Sequence, residues 1–135
     1  MRTLRMWTLG TAVACGLALA ACGSDSSSGT TAPTTGCTPS TNANTLVIQN
    51  NTICPQTLTV SRGSQVTILN SDSRNHEMDS DPHPEHTDCP ELNQIGFISP
   101  GQSRVSGNLN TARRCGMHDH SSPDTASLKA TITIQ

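Results

Sequence analysis

The stretch LTVSRGSQVTILNSDSRNH, residues 58–76, holds the pattern on which the fold of this chain turns. Thr57-Leu58-Thr59-Val60 alternates threonine with an aliphatic residue, Arg62-Gly63 interrupts it, and Gln65-Val66-Thr67-Ile68-Leu69 resumes it. A period of two puts the aliphatic side chains on one face, the pattern of a half-buried strand. The polar run Asn70 to Asn75 then reads as a turn, with His76 at its end. Upstream, the same period fills Thr45-Leu46-Val47-Ile48-Gln49. Downstream it returns in Gly96-Phe97-Ile98, in Arg104-Val105-Ser106-Gly107-Asn108-Leu109, and in Leu128-Lys129-Ala130-Thr131-Ile132-Thr133-Ile134. Ser99-Pro100-Gly101-Gln102 supplies a further turn, and no segment carries a helical stripe of useful length. Short strands punctuated by Gly and Pro predict an all-β, antiparallel β-sandwich forming one small domain over residues 45–135.

Composition agrees with strands. The chain holds one Phe, one Trp and no Tyr, and Trp7 falls in the leader, so Phe97 is the domain's single aromatic. The core must be Val, Ile and Leu, which pack well on a pleated surface.

Residues 1–21 read as a secretory signal: Arg2 and Arg5 precede the apolar run Leu9 to Ala21, which is short for a membrane span. Leu19-Ala20-Ala21-Cys22-Gly23 resembles the lipobox of bacterial lipoproteins. That resemblance implies cleavage before Cys22 and acylation of its sulfur and amino group, since two chains or more are needed for a durable anchor. It implies a lipid-anchored protein of the cell envelope, on a periplasmic or surface face. Gly23 in place of an aspartate favours the outer membrane if the cell is Gram-negative. Residues 22–44 are mostly Ser, Thr, Gly, Pro, Asn and Ala, a flexible tether by composition. With Arg2 and Arg5 removed, six basic residues of the original eight face ten acidic ones, a net charge of −4. No basic stripe is present, which argues against nucleic acid as a partner.

All five histidines fall into two clusters: His76, His83 and His86 leading to Cys89, and Cys115, His118 and His120. Imidazole and thiolate bind borderline and soft metals, copper and zinc foremost, so the clusters predict a metal site or a pH-sensitive polar patch. Setting Cys15 and Cys22 aside leaves Cys37, Cys54, Cys89 and Cys115. An exported domain keeps disulfides, and four cysteines allow three pairings that spacing cannot distinguish. The carboxylates Glu77, Asp79, Asp81, Glu85, Asp88 and Asp119 are read as raising local affinity for cations rather than acting as acid/base catalysts, most of them as a solvated acidic rim. Hydrolase motifs and phosphate-cradling Gly loops are absent, so no enzyme activity is predicted.

The order of these parts resembles the cupredoxins, the blue-copper fold. Residues 58–76 resemble the family's first ligand segment, in which a strand ends in Asn, a loop follows and a histidine enters the metal site. Ser99-Pro-Gly-Gln-Ser103 resembles the turn before the returning strand, Cys115-Gly-Met-His118 the Cys-x-x-His ligand loop, and Ala130 to Ile134 the closing strand. The resemblance spans nearly all of residues 45–135 and implies a Greek-key sandwich that binds copper for electron transfer or copper handling. A redox or copper-delivery protein would be its partner. Two site readings follow from it. In the first, His76, Cys115 and His118 or His120 surround copper, with Met78 as the axial group in place of the absent family methionine. In the second, Cys89 pairs with Cys115 and Cys37 with Cys54. His83, His86, His118 and His120 then form an all-imidazole site for Cu(II) or zinc. A metal-free scaffold or adhesion module that keeps only the fold is the rival from another class.

Overall fold

The structure is a computed structural model describing residues 36–135. The leader, the lipobox with Cys22 and the tether through residue 35 lie outside the described residues.

Strands form where the alternation places them: β1 at Thr45–Gln49, β3 at Thr57–Val60, β4 at Thr67–Asn70, β6 at Gly96–Ile98 and β9 at Lys129–Ile134. The span predicted over residues 104–109 is shorter, with β7 confined to Ser103–Val105. Past Val105 the chain leaves the ladder, and Ser106, Gly107 and Leu109 instead donate backbone hydrogen bonds to Val66, Glu91 and Ser64. Three further strands were not legible as alternation: β2 at Thr52–Cys54, β5 at His76–Ser80 and β8 at Arg113–Asp119.

The strands make two layers, β2-β1-β4-β7 and β3-β9-β8-β5-β6. The antiparallel expectation needs correction, because both sheets are mixed. β1 lies parallel to β4, and β3 lies parallel to β9. The cause is topological. β3 belongs to the opposite sheet, so the chain returns to the free edge of β1 running in the same direction as before. Between the layers sits an aliphatic core that includes Leu46, Ile48, Ile68, Ile98 and Ile132, all fully buried. Phe97, the single aromatic among the described residues, is 51% exposed and takes no part in it.

Two disulfides, Cys37–Cys54 and Cys89–Cys115, complete the frame. Cys37 is buried, so the covalent frame reaches back into the segment read as tether. The Cys89–Cys115 bridge lies within the main core, where both residues are fully buried.

Candidate metal centre

β5 and β8 position the site. They pair antiparallel, with Ser80 opposite Met117, Asp79 opposite His118 and Met78 opposite Asp119. Period-two geometry therefore sends Met78, Ser80, Cys115, Met117 and Asp119 toward the core, and Asp79, Gly116 and His118 to the outer face of the five-stranded sheet. His120 follows at the same parity, just beyond β8, with its N–H donating to the Glu77 carbonyl at 2.7 Å.

A loop from Asp81 to Pro90 covers that outer face. It leaves β5, sets His83 and His86 against His118 and His120, and returns to the core at Cys89. Several bonds fix its path. Asp81 N–H donates to the Gly116 carbonyl at 3.0 Å, the Gly116 N–H donates to Asp88 Oδ2 at 3.0 Å, and the disulfide closes the loop's far end. His86 adopts φ 50°, in the left-handed region that costs a non-glycine residue roughly 1–2 kcal/mol. It is held there by its N–H on the Pro82 carbonyl (2.7 Å) and by Asn93 Nδ2 donating to its own carbonyl (2.8 Å). Backbone strain that the surroundings enforce in this way concentrates at functional positions.

The result is four imidazoles in one place. Ring centroids of His83 and His86 lie 5.6 Å apart, and those of His86 lie 5.3 Å from His118 and 5.0 Å from His120. Those of His83 lie 5.6 Å from His118 and 5.1 Å from His120. Ligand-capable atoms of His83, His86 and His118 fall within 4.8 Å of one another, as do those of Asp79, His86 and His120. A cleft of about 350 Å³ lined by Asp81, His83, His118, Asp124 and Lys129 opens beside the cluster.

His118 shows the chemistry most directly. Its side chain is 1% exposed, and its Nδ1 lies 2.6 Å from Asp81 Oδ1. A neutral imidazole that donates from Nδ1 to a carboxylate keeps its lone pair on Nε2. That Nε2 is buried with no hydrogen-bond partner, and so are His86 Nε2 and His120 Nδ1. Buried polar atoms are ordinarily satisfied, and unsatisfied imidazole nitrogens within one cluster of ligand-capable side chains are what a metal ion would complete. The residues present therefore fit a metal with nitrogen preference.

Gly116 makes the Asp81 contact possible. A Cβ at this position would meet the Asp81 carboxylate, 2.7 Å from Cγ and 3.1 Å from Cβ. Only glycine leaves the acid room to lie along β8 and reach His118.

Not every residue of the sequence reading arrives at this place. His83, His86, His118 and His120 come together. Cys115 does not present a thiolate, since it is bonded to Cys89 on the core side. His76 stands apart, at the start of β5, whereas Cys115 lies beyond that strand's far end by the β5–β8 register. Six strand residues separate their levels, about 20 Å. His76 Nδ1 is 2.6 Å from Asp119 Oδ2 and its Nε2 is 3.0 Å from Asp72 Oδ2, while Arg74 lies 3.5 Å from the same Asp119 oxygen. Met78 and Met117 are fully buried in the core.

The expected solvated acidic rim also needs correction. Asp119 is fully buried, and Asp81 and Asp88 bind specific partners. A signal for this was present in His118-Asp119-His120, where period two places the histidines on one face and the acid on the other.

Taken as a whole, the two mixed sheets and their strand order define a cupredoxin-like fold. Oxidized plastocyanin from Dryopteris crassirhizoma superposes with a TM-score of 0.53 at 20% identity, over 67% of this chain and 99% of that one. A purple cupredoxin from Nitrosopumilus maritimus gives 0.52 at 15% identity, over 70% and 100%. The Cu(I) form of an amicyanin variant gives 0.53 at 15% identity, over 69% and 82%. At these identities the likeness establishes the fold alone. No protein-family model matches the sequence, and no curated protein matches it either.

Proposed function

We propose that this chain is a copper-binding protein of the cell envelope that handles copper through His83, His86, His118 and His120. The observation that carries the reading is the buried, unpartnered Nε2 of His118, facing other imidazoles while Asp81 holds its opposite nitrogen. Imidazole donors suit Cu(II) first and zinc second. Bound copper would supply a redox-capable Lewis acid there. The protein's own groups do the rest: rings of the cluster would hold it, Asp81 orients His118, and the disulfide keeps the loop and β8 in register. Copper in the solved amicyanin form adds support, since that protein shares the fold.

Copper acquisition or delivery is favoured over electron transfer. Blue-copper electron carriers rely on a thiolate among the ligands, and Cys115 is committed to a disulfide. The lipobox-like Cys22 would tether the domain to the membrane, and a copper-delivery or redox protein would meet it at the exposed His83 edge. Alanine at Cys22 should move the protein from membrane to soluble fractions.

The direct test uses untagged protein, loaded with Cu(II) and desalted. One retained copper, lost on His86→Asn substitution, is the expected result, with a pale spectrum lacking an intense sulfur-to-copper band. Protein that emerges without copper would instead support the metal-free scaffold.

A further inference from the structure

We infer that the cluster offers a metal ion two adjoining seats that share His86, and that one bound ion divides between them. This deepens the copper reading above and rests on it. The first seat is all imidazole, from His83, His86 and His118; the second contains a carboxylate, from Asp79, His86 and His120.

Geometry and vacancy of partners both support two seats. In each triad the ligand-capable atoms already lie within 4.8 Å of one another. Metal–ligand bonds of about 2.0–2.2 Å place atoms of one coordination sphere up to roughly 4.4 Å apart, so each triad closes on an ion with small side-chain movements. The two sets have only His86 in common. Each seat also has a residue with an unpartnered buried nitrogen, His118 Nε2 in the first and His120 Nδ1 in the second, and the shared His86 carries a third, its Nε2. Asp79 Oδ2 approaches His120 Nδ1 to 3.3 Å without hydrogen-bond geometry, so that pair does not satisfy itself. The Asp79 side chain is 13% exposed, and a carboxylate so nearly enclosed gains from a cation beside it.

One ion is accommodated rather than two. Ions seated on both sides of His86 would be divalent neighbours with a single carboxylate between the two ligand sets, and like charges at such range repel strongly. A lone ion can instead keep His86 while it exchanges His83 and His118 for Asp79 and His120. Ligand-by-ligand exchange never leaves the metal bare, which suits a protein that passes copper onward.

The experiment titrates Cu(II) into the purified protein and records frozen-solution electron paramagnetic resonance. Binding should saturate at one equivalent with two Cu(II) signals, one nitrogen-rich and one of mixed nitrogen and oxygen character. Asp79→Asn should leave only the nitrogen-rich signal, Asp79→Glu should restore both, and His83→Gln should leave only the mixed one. His83 is exposed, so its replacement spares the fold. Saturation at two equivalents, or a single wild-type signal that Asp79→Asn leaves unchanged, overturns the two seats while copper binding stands. Wild-type protein that retains no copper overturns the copper reading, and the seats with it.

Discussion

Replacing Gly116 with alanine isolates the part played by Asp81. The added methyl would overlap Asp81 Oδ2 and sit 2.7 Å from Cγ, so an ordinary 3.4 Å contact requires Cγ to retreat by about 0.7 Å and the oxygen by more. The 2.6 Å contact between Asp81 Oδ1 and His118 Nδ1 does not survive such a shift with useful geometry. Asp81 is 42% exposed on its side chain, so it can swing into solvent and the fold accepts the change. Two stability effects then oppose each other. Alanine is better than glycine in a strand by roughly 0.5–1 kcal/mol, and the lost half-exposed hydrogen bond costs on the order of 1 kcal/mol. Net stability should stay within about 1 kcal/mol of wild type.

Copper affinity should not stay. Measured in the Asp79→Asn background, where the mixed seat is closed, losing the carboxylate that orients a ligating histidine should lower affinity about 10–100-fold, roughly 1.4–2.7 kcal/mol. Competition with a chromophoric copper chelator measures it. A double-mutant cycle with Asp81→Ala tests the route: if Gly116 acts through Asp81, adding Gly116→Ala to Asp81→Ala should cost less than about 0.5 kcal/mol more. Additive losses, or an affinity that Gly116→Ala leaves unchanged in the Asp79→Asn background, would refute this account.

Three other outcomes follow from the same geometry. Cys89→Ser and Cys115→Ser should each destabilise the domain by roughly 2–4 kcal/mol in denaturant unfolding, because both open the same loop, and unreduced, denatured wild type should show no free thiol from Cys37, Cys54, Cys89 or Cys115. Asp119→Ala should cost about 3–5 kcal/mol by urea denaturation, since it strips a fully buried partner from His76, whereas His120→Gln, at a side chain 40% exposed, should change stability by less than about 0.5 kcal/mol. His86→Asn should keep or slightly raise the melting temperature, because asparagine tolerates the left-handed backbone, while copper retention falls; a melting temperature lowered by more than about 8 °C would contradict the strain at His86.

Legibility differed between strands for a physical reason. β3, β4, β6 and β9 show a period of two because one face is buried and the other meets solvent or a sheet edge, whereas β1, buried on both faces, reads as an aliphatic run. β8 breaks that pattern. Its inner face holds Cys115, Met117 and Asp119, and its outer face is covered by the 81–90 loop, so His118 is buried as well. A strand covered on both faces loses the alternation that identifies it. The acid at position 119 is sealed by His76 and Arg74, partners brought from 43 and 45 residues earlier, which no local reading reports.

What the amino-acid order determined by itself is the class of fold, the aliphatic core and the set of metal-capable side chains. Alternation, turn residues and residue chemistry are local properties and survive in the sequence. Which imidazoles meet was settled only in three dimensions. The β5–β8 register puts His118 and His120 on the outer face and leaves His76 about 20 Å from the level of Cys115. A shift of that register by one residue would send both histidines into the core. The Cys89–Cys115 bridge and the path of the Asp81–Pro90 loop then bring His83 and His86 to them, through contacts 26 to 37 residues apart in the chain.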